Sequence, residues 1–167
     1  SCPLLEISYV DGKRKVRTVV PSPDIASYLP KQPLLKQGGT YLLTGGAGGL
    51  GQIFAKHLAD TYRANLILVG RSELNDTIRE AITSLQKTAK SVHYLQADVT
   101  DAESLKKAFE KLPKELQKLN GVIHAAGIKK DSFILKKDPA SFAQVITTKV
   151  KGALALDALT KDMTLDF

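Results

Sequence analysis

The sequence predicts an α/β fold. It is a Rossmann-like, doubly wound parallel sheet, truncated after about four strands and preceded by an N-terminal β-hairpin. Two observations carry this prediction. From residue 40 onwards, short apolar runs alternate with amphipathic segments, and repeated β-α units give a parallel sheet with helices on both faces. A glycine-rich stretch follows the first of these runs, in the strand–turn–helix order of a phosphate-binding loop.

The first 39 residues differ in character from the rest of the chain. Ile7–Val10 and Lys15–Val20 are β-prone and flank Asp11-Gly12, a favoured tight-turn pair, so they predict a hairpin. Pro21–Gly39 is rich in Pro, Gln and Gly and predicts a linker or a surface strap. We therefore expect one unit over residues 1–39 and another over residues 40–167.

Four apolar runs predict the strands of the sheet: Tyr41–Leu43, Asn65–Val69, Val92–Ala97 and Gly121–Ala125. The second run is almost wholly apolar, as expected of a parallel strand covered on both faces. Met163–Phe167 has the character of a fifth strand that is just beginning. Without that strand the fourth would be a bare apolar edge, which natural proteins avoid, so we expect a fragment or a chain completed by another polypeptide.

Amphipathic segments predict four helices between and after these strands. The second covers about Asp76–Lys87, and the third begins at a capping box formed by Thr100 and Glu103. Pro113 breaks or kinks the third helix, and the fourth begins at Asp138-Pro139, a cap followed by proline in the first turn. The first helix carries four apolar residues on one face: Leu50, Ile53, Phe54 and Leu58.

Composition indicates a globular cytoplasmic protein of one-domain size. Of the 167 residues, 43% are hydrophobic and 25% charged, and no apolar run approaches the roughly 20 residues that span a bilayer. The only cysteine, Cys2, rules out an internal disulfide and fits a reducing compartment. The net charge of +7 can come from lysines on a solvated helix face or from a basic patch that binds nucleic acid. Because zinc-ligand spacing and an aromatic stacking pattern are both missing, we expect no nucleic-acid and no membrane partner.

The glycine-rich stretch is the first candidate site. Glycine lets the chain bend tightly and approach a pyrophosphate closely, while the following helix offers unpaired N–H groups to the anion. The alternative is a glycine-rich turn that binds nothing. The candidate cofactor-binding residues here are Thr44, Gly45, Gly46, Ala47, Gly48, Gly49, Leu50 and Gly51.

Gly70-Arg71-Ser72 ends the second predicted strand. A NAD-binding fold places an acid there, about 20 residues past the loop, to bind the ribose hydroxyls. A guanidinium pairs well with a phosphate dianion and poorly with a bare hydroxyl, so Arg71 with Ser72 favours NADPH over NADH. The alternative for Arg71 is an ordinary surface arginine.

Two further strand ends complete the candidate cofactor site. Asp98 and Val99 can contact the adenine ring, although Asp98 or Thr100 could instead cap the third helix. After His124, the small residues Ala125, Ala126 and Gly127 would let the backbone approach the cofactor ribose. We interpret the three histidines, His57, His93 and His124, as structural, and the sequence shows no metal-binding constellation.

These four motifs, in this order, resemble the short-chain dehydrogenase/reductase family. Many members carry asparagine in an N-x-x-G pattern on the fourth helix, whereas this chain has Thr148–Gly152 with Lys149 in its place. That lysine, with the segment Lys149–Leu159, resembles the ketoreductase domains of modular polyketide synthases and animal-type fatty acid synthases. Glu6–Arg17 resembles the end of the structural subdomain that precedes their catalytic half. The resemblance assigns residues 1–39 to that subdomain with its linker, and residues 40–167 to the NADPH-binding part.

The resemblance implies NADPH-dependent reduction of a β-ketoacyl thioester on an acyl carrier protein to the β-hydroxyacyl form, in polyketide (antibiotic) biosynthesis. Neighbouring synthase domains are implied as further partners. Hydride moves to the ketone carbon while an acid protonates the oxygen. In the family, a serine and a tyrosine bind the developing alkoxide, and a lysine, matched by Lys149, lowers the tyrosine pKa and orients the ribose. The alternative for Lys149 is an exposed lysine beside Lys151.

The serine and tyrosine belong beyond the fifth strand, past Phe167, so the chain alone is expected to be inactive. Lys129-Lys130-Asp131 stands where many members have a Leu-Asp-Asp stereochemistry motif. By resemblance, Asp131 implies the B-type, D-configured hydroxyl, and the alternative is a plain loop aspartate.

Two other functions stay open for the chain as a whole. One is a catalytically incomplete nucleotide-binding or structural fragment that needs another segment for the Ser/Tyr proton donor, and the other is nucleic-acid binding.

Overall fold

The computed structural model describes residues 7–17 and 34–167. The chain divides into two compact units, Ser1–Gln32 and Pro33–Phe167, which we treat separately. Residues 18–20 of the predicted second hairpin strand lie outside the described residues. So does the predicted linker as far as residue 33.

The first unit contains the predicted hairpin. Strand β1, Ile7–Val10, pairs antiparallel with β2, Lys13–Val16. Asp11 and Gly12 form the two-residue turn with φ of 51° and 70°, the left-handed pair that matches the strand twist in a type I′ turn. The second strand therefore begins at Lys13 and not at the predicted Lys15, because so short a turn places Lys13 directly opposite Val10.

The second unit is built on a four-stranded parallel sheet, as predicted. Its strands are β3 (Thr40–Thr44), β4 (Asn65–Gly70), β5 (Ser91–Gln96) and β6 (Gly121–His124). Their order in space is β5-β4-β3-β6. The chain therefore moves outward from β3 in one direction and then returns to its other side. Such a reversal opens a crevice at the carboxyl ends of the neighbouring strands β3 and β6, where the direction changes.

Helices cover both faces of this sheet, which confirms the doubly wound architecture. They are α1 (Gly49–Tyr62), α2 (Asp76–Gln86), α3 (Ala102–Glu110) and α4 (Pro139–Thr160). One apolar core packs Leu42 and Ile67 against α3 and α4, and the other packs Leu43 and Leu68 against α1 and α2. Side chains alternate between the faces because the period along a strand is two.

The buried face of α1 is not the predicted apolar one. Leu50 and Ile53 are 66% and 65% exposed, and Phe54 is also exposed. The sheet instead receives a face of mostly small residues, offset from the predicted one: Gly51, Ala55, Leu58 and Ala59. A Cβ on Gly51 would overlap the backbone of Gly45 and Gly46, so only glycine fits at this point of the buried face. Of the four predicted residues, only Leu58 is buried.

Helix caps follow the predicted positions with one exception. Asp138 accepts a hydrogen bond from the Ser141 N–H at 2.8 Å and caps α4 as predicted. The cap of α3 is Asp101, whose carboxylate accepts from the N–H groups of Glu103 and Ser104. The capping box predicted at Thr100 and Glu103 is therefore wrong, because the first N–H groups of α3 bond to Asp101, while the Thr100 hydroxyl donates to Asp98.

The last residues of the chain run beside the outer edge of β6. The Asp166 N–H donates to the Asn120 carbonyl at 2.7 Å, and the Val122 N–H donates to the Phe167 carbonyl at 3.2 Å. The Phe167 ring stacks on Tyr41 with centroids 5.9 Å apart. In the described ranges, none of the helices combines the length and the apolar character that crossing a bilayer demands.

Candidate functional site

A cleft of about 420 Å³ lies at the carboxyl edge of the sheet. All four strands of the sheet end at this edge, so residues far apart in sequence meet there. Ten of the predicted cofactor-binding residues line the cleft: Thr44, Gly45, Ala47, Gly48, Arg71, Ser72, Asp98, Val99, Ala126 and Gly127.

The other predicted residues do not form its wall. Gly46, Gly49, Leu50 and Gly51 belong to the loop or to the first turn of α1, and Ala125 follows β6 directly. Lys149 lies on α4 beside the cleft. Asp131 lies in the exposed loop between β6 and α4.

The wall also contains residues that the sequence did not assign to the cofactor: Val69, Gly70, Asn75, Thr77, Ile78, Tyr94, Ala97 and Thr148. Asn75 carried a usable signal. It stands before the second predicted helix, and its side chain caps α2 by accepting from the Ile78 N–H at 3.0 Å. The start of a helix that follows a parallel strand lies at the same sheet edge as the end of that strand.

The glycine loop is shaped by close backbone contacts. Gly45 has a φ of +65°, and a Cβ added there would stand 2.9 Å from the backbone N and Cα of Ala126. The Gly48 N–H donates to the Gly45 carbonyl at 2.8 Å and closes the turn. Gly48 is also the N-cap of α1 and provides no side-chain cap. The first N–H groups of α1 thus keep their capacity to bind an anion.

Asp98 and Arg71 bring opposite charges to the strand ends of β5 and β4. Burial raises the pKa of Asp98, but two hydrogen bonds from Thr100 and the charge of Arg71 outweigh it and hold this pKa below its ordinary value. The Thr100 N–H and hydroxyl both donate to the same carboxylate oxygen at 2.8 Å. Asp98 is therefore a fixed carboxylate of the cleft wall, and capping of the third helix falls to Asp101.

Tyr94 holds the Arg71–Ser72 end of the cleft. Its hydroxyl donates to the Ser72 carbonyl at 2.7 Å, and burial raises its pKa. Gly70 leaves room for it, because a Cβ at this position would meet the Tyr94 hydroxyl at 2.7 Å. Tyr94 therefore fixes the backbone that follows β4.

Lys149 projects from α4 towards the end of β6. Its Nζ donates to the His124 carbonyl at 3.4 Å. The same Nζ would lie 3.9 Å from a Cβ built on Gly127, a wall residue. The neighbouring Thr148 is buried and lines the cleft. An ammonium group is thus positioned beside the strand end that the sequence assigned to the cofactor ribose.

Across residues 7–17 and 34–167, no group of three or more His, Cys, Asp or Glu side chains comes together in a way that could hold a metal ion. The charged groups of the cleft wall are the Arg71 guanidinium and the Asp98 carboxylate. The loop adds N–H donors, and the Lys149 ammonium lies beside the cleft.

Comparison with known proteins places this arrangement among ketoreductases. The KR domain family model matches residues 39–167. Polyketide synthase PksM of Bacillus subtilis (strain 168) is 46% identical over 138 residues, which is 83% of this chain and 3% of that protein. Polyketide synthase PksN of the same organism is 41% identical over 133 residues, or 79% of this chain and 2% of that protein. The chain therefore spans only a small part of these curated relatives.

Two solved structures share the fold over almost the whole chain. An N-terminal ketoreductase from the macrolactin assembly line aligns with a TM-score of 0.74 and 35% identity, covering 93% of this chain and 30% of that one. A ketoreductase domain from the bacillaene assembly line aligns with a TM-score of 0.72 and 35% identity, covering 96% of this chain and 38% of that one.

Proposed function

The chain belongs to the KR domain family, and on this basis we propose that it forms the cofactor-binding part of a cytoplasmic, NADPH-dependent ketoreductase. Its substrate is a β-ketoacyl thioester carried by an acyl carrier protein, and the product is the β-hydroxyacyl thioester of polyketide biosynthesis. The observation that carries this proposal is the convergence of four strand ends on one cleft, where the glycine loop, Arg71, Asp98 and Gly127 meet.

The residues present fit a dinucleotide with an extra phosphate. The start of α1, with the Gly45–Gly48 turn before it, would hold the pyrophosphate, because the first N–H groups of α1 have no side-chain cap to satisfy them. Arg71 and Ser72 would bind the 2′-phosphate through charge-assisted hydrogen bonds. The wall at Asp98-Val99 would receive the adenine, and Ala126-Gly127 the ribose of the nicotinamide.

Lys149 is the residue of this chain that we propose to be catalytic. When bound, NADPH supplies the hydride, and the Lys149 ammonium would orient its ribose beside Gly127. The same positive charge would lower the pKa of a nearby tyrosine and so ready it to protonate the substrate oxygen. In this proposal the serine and tyrosine come from a further segment, so the chain alone binds the cofactor without reducing a ketone.

Three further assignments follow from the same proposal. Residues 1–39 form the end of a structural subdomain and its linker. Neighbouring synthase domains are the partners of residues 40–167, together with the carrier protein. Asp131, in the exposed loop before α4, marks the B-type outcome with a D-configured hydroxyl.

Replacing Asp131 with Ala in an active ketoreductase and determining the product configuration by chiral chromatography tests the assignment of Asp131. An unchanged product configuration would make Asp131 a plain loop residue.

Titration of the chain with NADPH and NADH, followed by the fluorescence of the reduced nicotinamide, tests cofactor binding. We expect saturable binding of NADPH, at least about 10-fold tighter than that of NADH, because a charge-assisted contact contributes roughly 1.5–3 kcal/mol. Repeating the titration at high salt separates this function from nucleic-acid binding, which weakens steeply with salt. Equal affinity for both cofactors would contradict the NADPH assignment, and no binding of either would contradict the proposed function.

A further inference from the structure

We propose, building on the function proposed above, that His124 is a positioning residue that ties the glycine loop to the turn of α4 that carries Lys149. Its ring lies between these two parts of the site. One edge bonds to β3, where the loop begins, and the other packs against α4.

On the side of the loop, His124 bonds to a buried threonine. Its Nδ1 lies 2.7 Å from the Thr44 hydroxyl oxygen, and Thr44 is only 1% exposed. The same hydroxyl oxygen accepts a hydrogen bond from the Ala126 N–H at 3.2 Å, and the Thr44 carbonyl accepts one from the Ala125 N–H at 3.1 Å. The hydroxyl of Thr44 therefore joins the ring to the backbone of the cleft wall.

On the side of the helix, the ring occupies a space that only glycine leaves open. A Cβ at Gly152 would stand 2.8 Å from both Cε1 and Nε2 of His124. Gly152 is three residues after Lys149 in α4, and residues with that spacing share one helix face. The Lys149 ammonium also donates to the His124 carbonyl at 3.4 Å. One residue thus contacts the Lys149 turn through both its ring and its backbone.

The surroundings of the ring favour its neutral form. Burial lowers the pKa of His124 and the charge of Lys149 lowers it further, while the backbone of Lys149 and Thr148 offsets part of this effect. Within the described residues, the buried Nε2 has no hydrogen-bond partner. A neutral imidazole can bond to Thr44 without adding a second positive charge next to Lys149. A charged side chain in the same place would repel the ammonium that the cofactor ribose needs.

A double-mutant cycle tests whether His124 acts through Thr44. The variants His124→Leu and Thr44→Val each remove one partner of the hydrogen bond at similar bulk, and His124→Asn keeps a polar group that can reach Thr44. We expect each of the first two to weaken NADPH binding by about 10-fold, and His124→Asn by no more than about 3-fold. The double variant should bind about as weakly as either single one, because both remove the same contact. If the double variant instead loses NADPH affinity by the product of the two single losses, the proposal is overturned.

A second measurement needs neither a cofactor nor a change at position 124. NMR titration of the His124 ring should give a higher pKa in Lys149→Met than in the unmodified chain, because the nearby positive charge is gone. Lys151→Met, two residues further along the same helix and exposed, should leave that pKa unchanged. If neither variant moves it, His124 is not coupled to Lys149 and the proposal fails.

The two measurements separate this proposal from the proposed function. A chain that binds NADPH with independent effects of His124 and Thr44 contradicts only the positioning role. A chain that binds no NADPH, yet shows the ring pKa responding to Lys149 and not to Lys151, contradicts only the cofactor assignment.

Discussion

Gly51 and Gly45 approach each other so closely that a Cβ on Gly51 would stand 2.2 Å from the Gly45 carbonyl oxygen. No side chain can occupy that space, and the neighbouring atoms are backbone. The first turn of α1 is therefore held directly against the glycine loop. This contact sets the position of the helix start relative to the cleft.

Gly51→Ala is accordingly expected to displace the loop from α1. The overlap should lower the free energy of unfolding by at least about 1–3 kcal/mol, the usual cost of overpacking, and should abolish NADPH binding. Chemical denaturation and a fluorescence titration measure the two effects. Gly49→Ala is the matched control, because a Cβ there has no neighbour within 4 Å. Because Gly49 is the first residue of α1, an alanine there should change the free energy of unfolding by less than the roughly 0.5–1 kcal/mol typical of a helix interior.

Arg71→Ala should reduce the preference for NADPH. We expect NADPH affinity to fall by about 10- to 100-fold, since charge-assisted contacts to the phosphate are lost, while NADH affinity stays nearly the same. Isothermal titration calorimetry with both cofactors measures the ratio. Arg79→Ala, on the exposed surface of α2, controls for the loss of one positive charge. Equal losses for NADPH and NADH would show that Arg71 does not bind the phosphate.

Lys149→Ala should abolish turnover in a polypeptide that joins this chain to the serine and tyrosine segment. A positioned acid–base group contributes about 10²–10⁴-fold, and removal of the ammonium leaves the tyrosine pKa too high. The rate of NADPH oxidation with a β-ketoacyl thioester measures the effect, with Lys151→Ala as the control on the same helix. An unchanged rate in Lys149→Ala would remove the catalytic assignment.

Stability should depend on pH through His124. Burial and the charge of Lys149 lower the pKa of its ring in the folded chain, whereas the unfolded chain titrates near the ordinary value of about 6.5. Below that value the unfolded state binds more protons than the folded state, so stability falls as the pH falls from about 6.5 towards the folded-state pKa. Urea denaturation across this range should show the decline, and His124→Asn should flatten it. If the free energy of unfolding falls equally steeply with pH in both proteins, groups other than His124 cause the decline.

The alternation of apolar runs and amphipathic segments was sufficient to predict the sheet and its helices. It did not predict which face of α1 is buried. Hydropathy favoured Leu50, Ile53 and Phe54, but the close approach of the helix to the loop selects small residues. Such an approach is a property of backbone packing, and side-chain hydropathy carries no signal for it.

The candidate site was predictable where it follows strand ends, as at Arg71 and Asp98. It was not predictable where the strand register or a distant helix completes the wall. Tyr94 pairs with Leu68 in the register of β4 and β5, and its contact with Ser72 depends on that pairing. Thr148 reaches the cleft because α4 packs back onto the sheet. Both facts require the folded chain.

The strand order also has a consequence for how the protein acquires its structure during synthesis. Thr40 of β3 meets Asn65 of β4 across 25 residues, but Thr44 meets His124 across 80. Contacts that close longer loops form later and more slowly. The glycine loop is translated before residues 121–126, so Thr44 acquires its contacts with Ala125 and Ala126 only after β6 has left the ribosome. Pulsed hydrogen exchange during refolding should show protection of β4 amides before those of β6, and the reverse order would contradict this sequence of events.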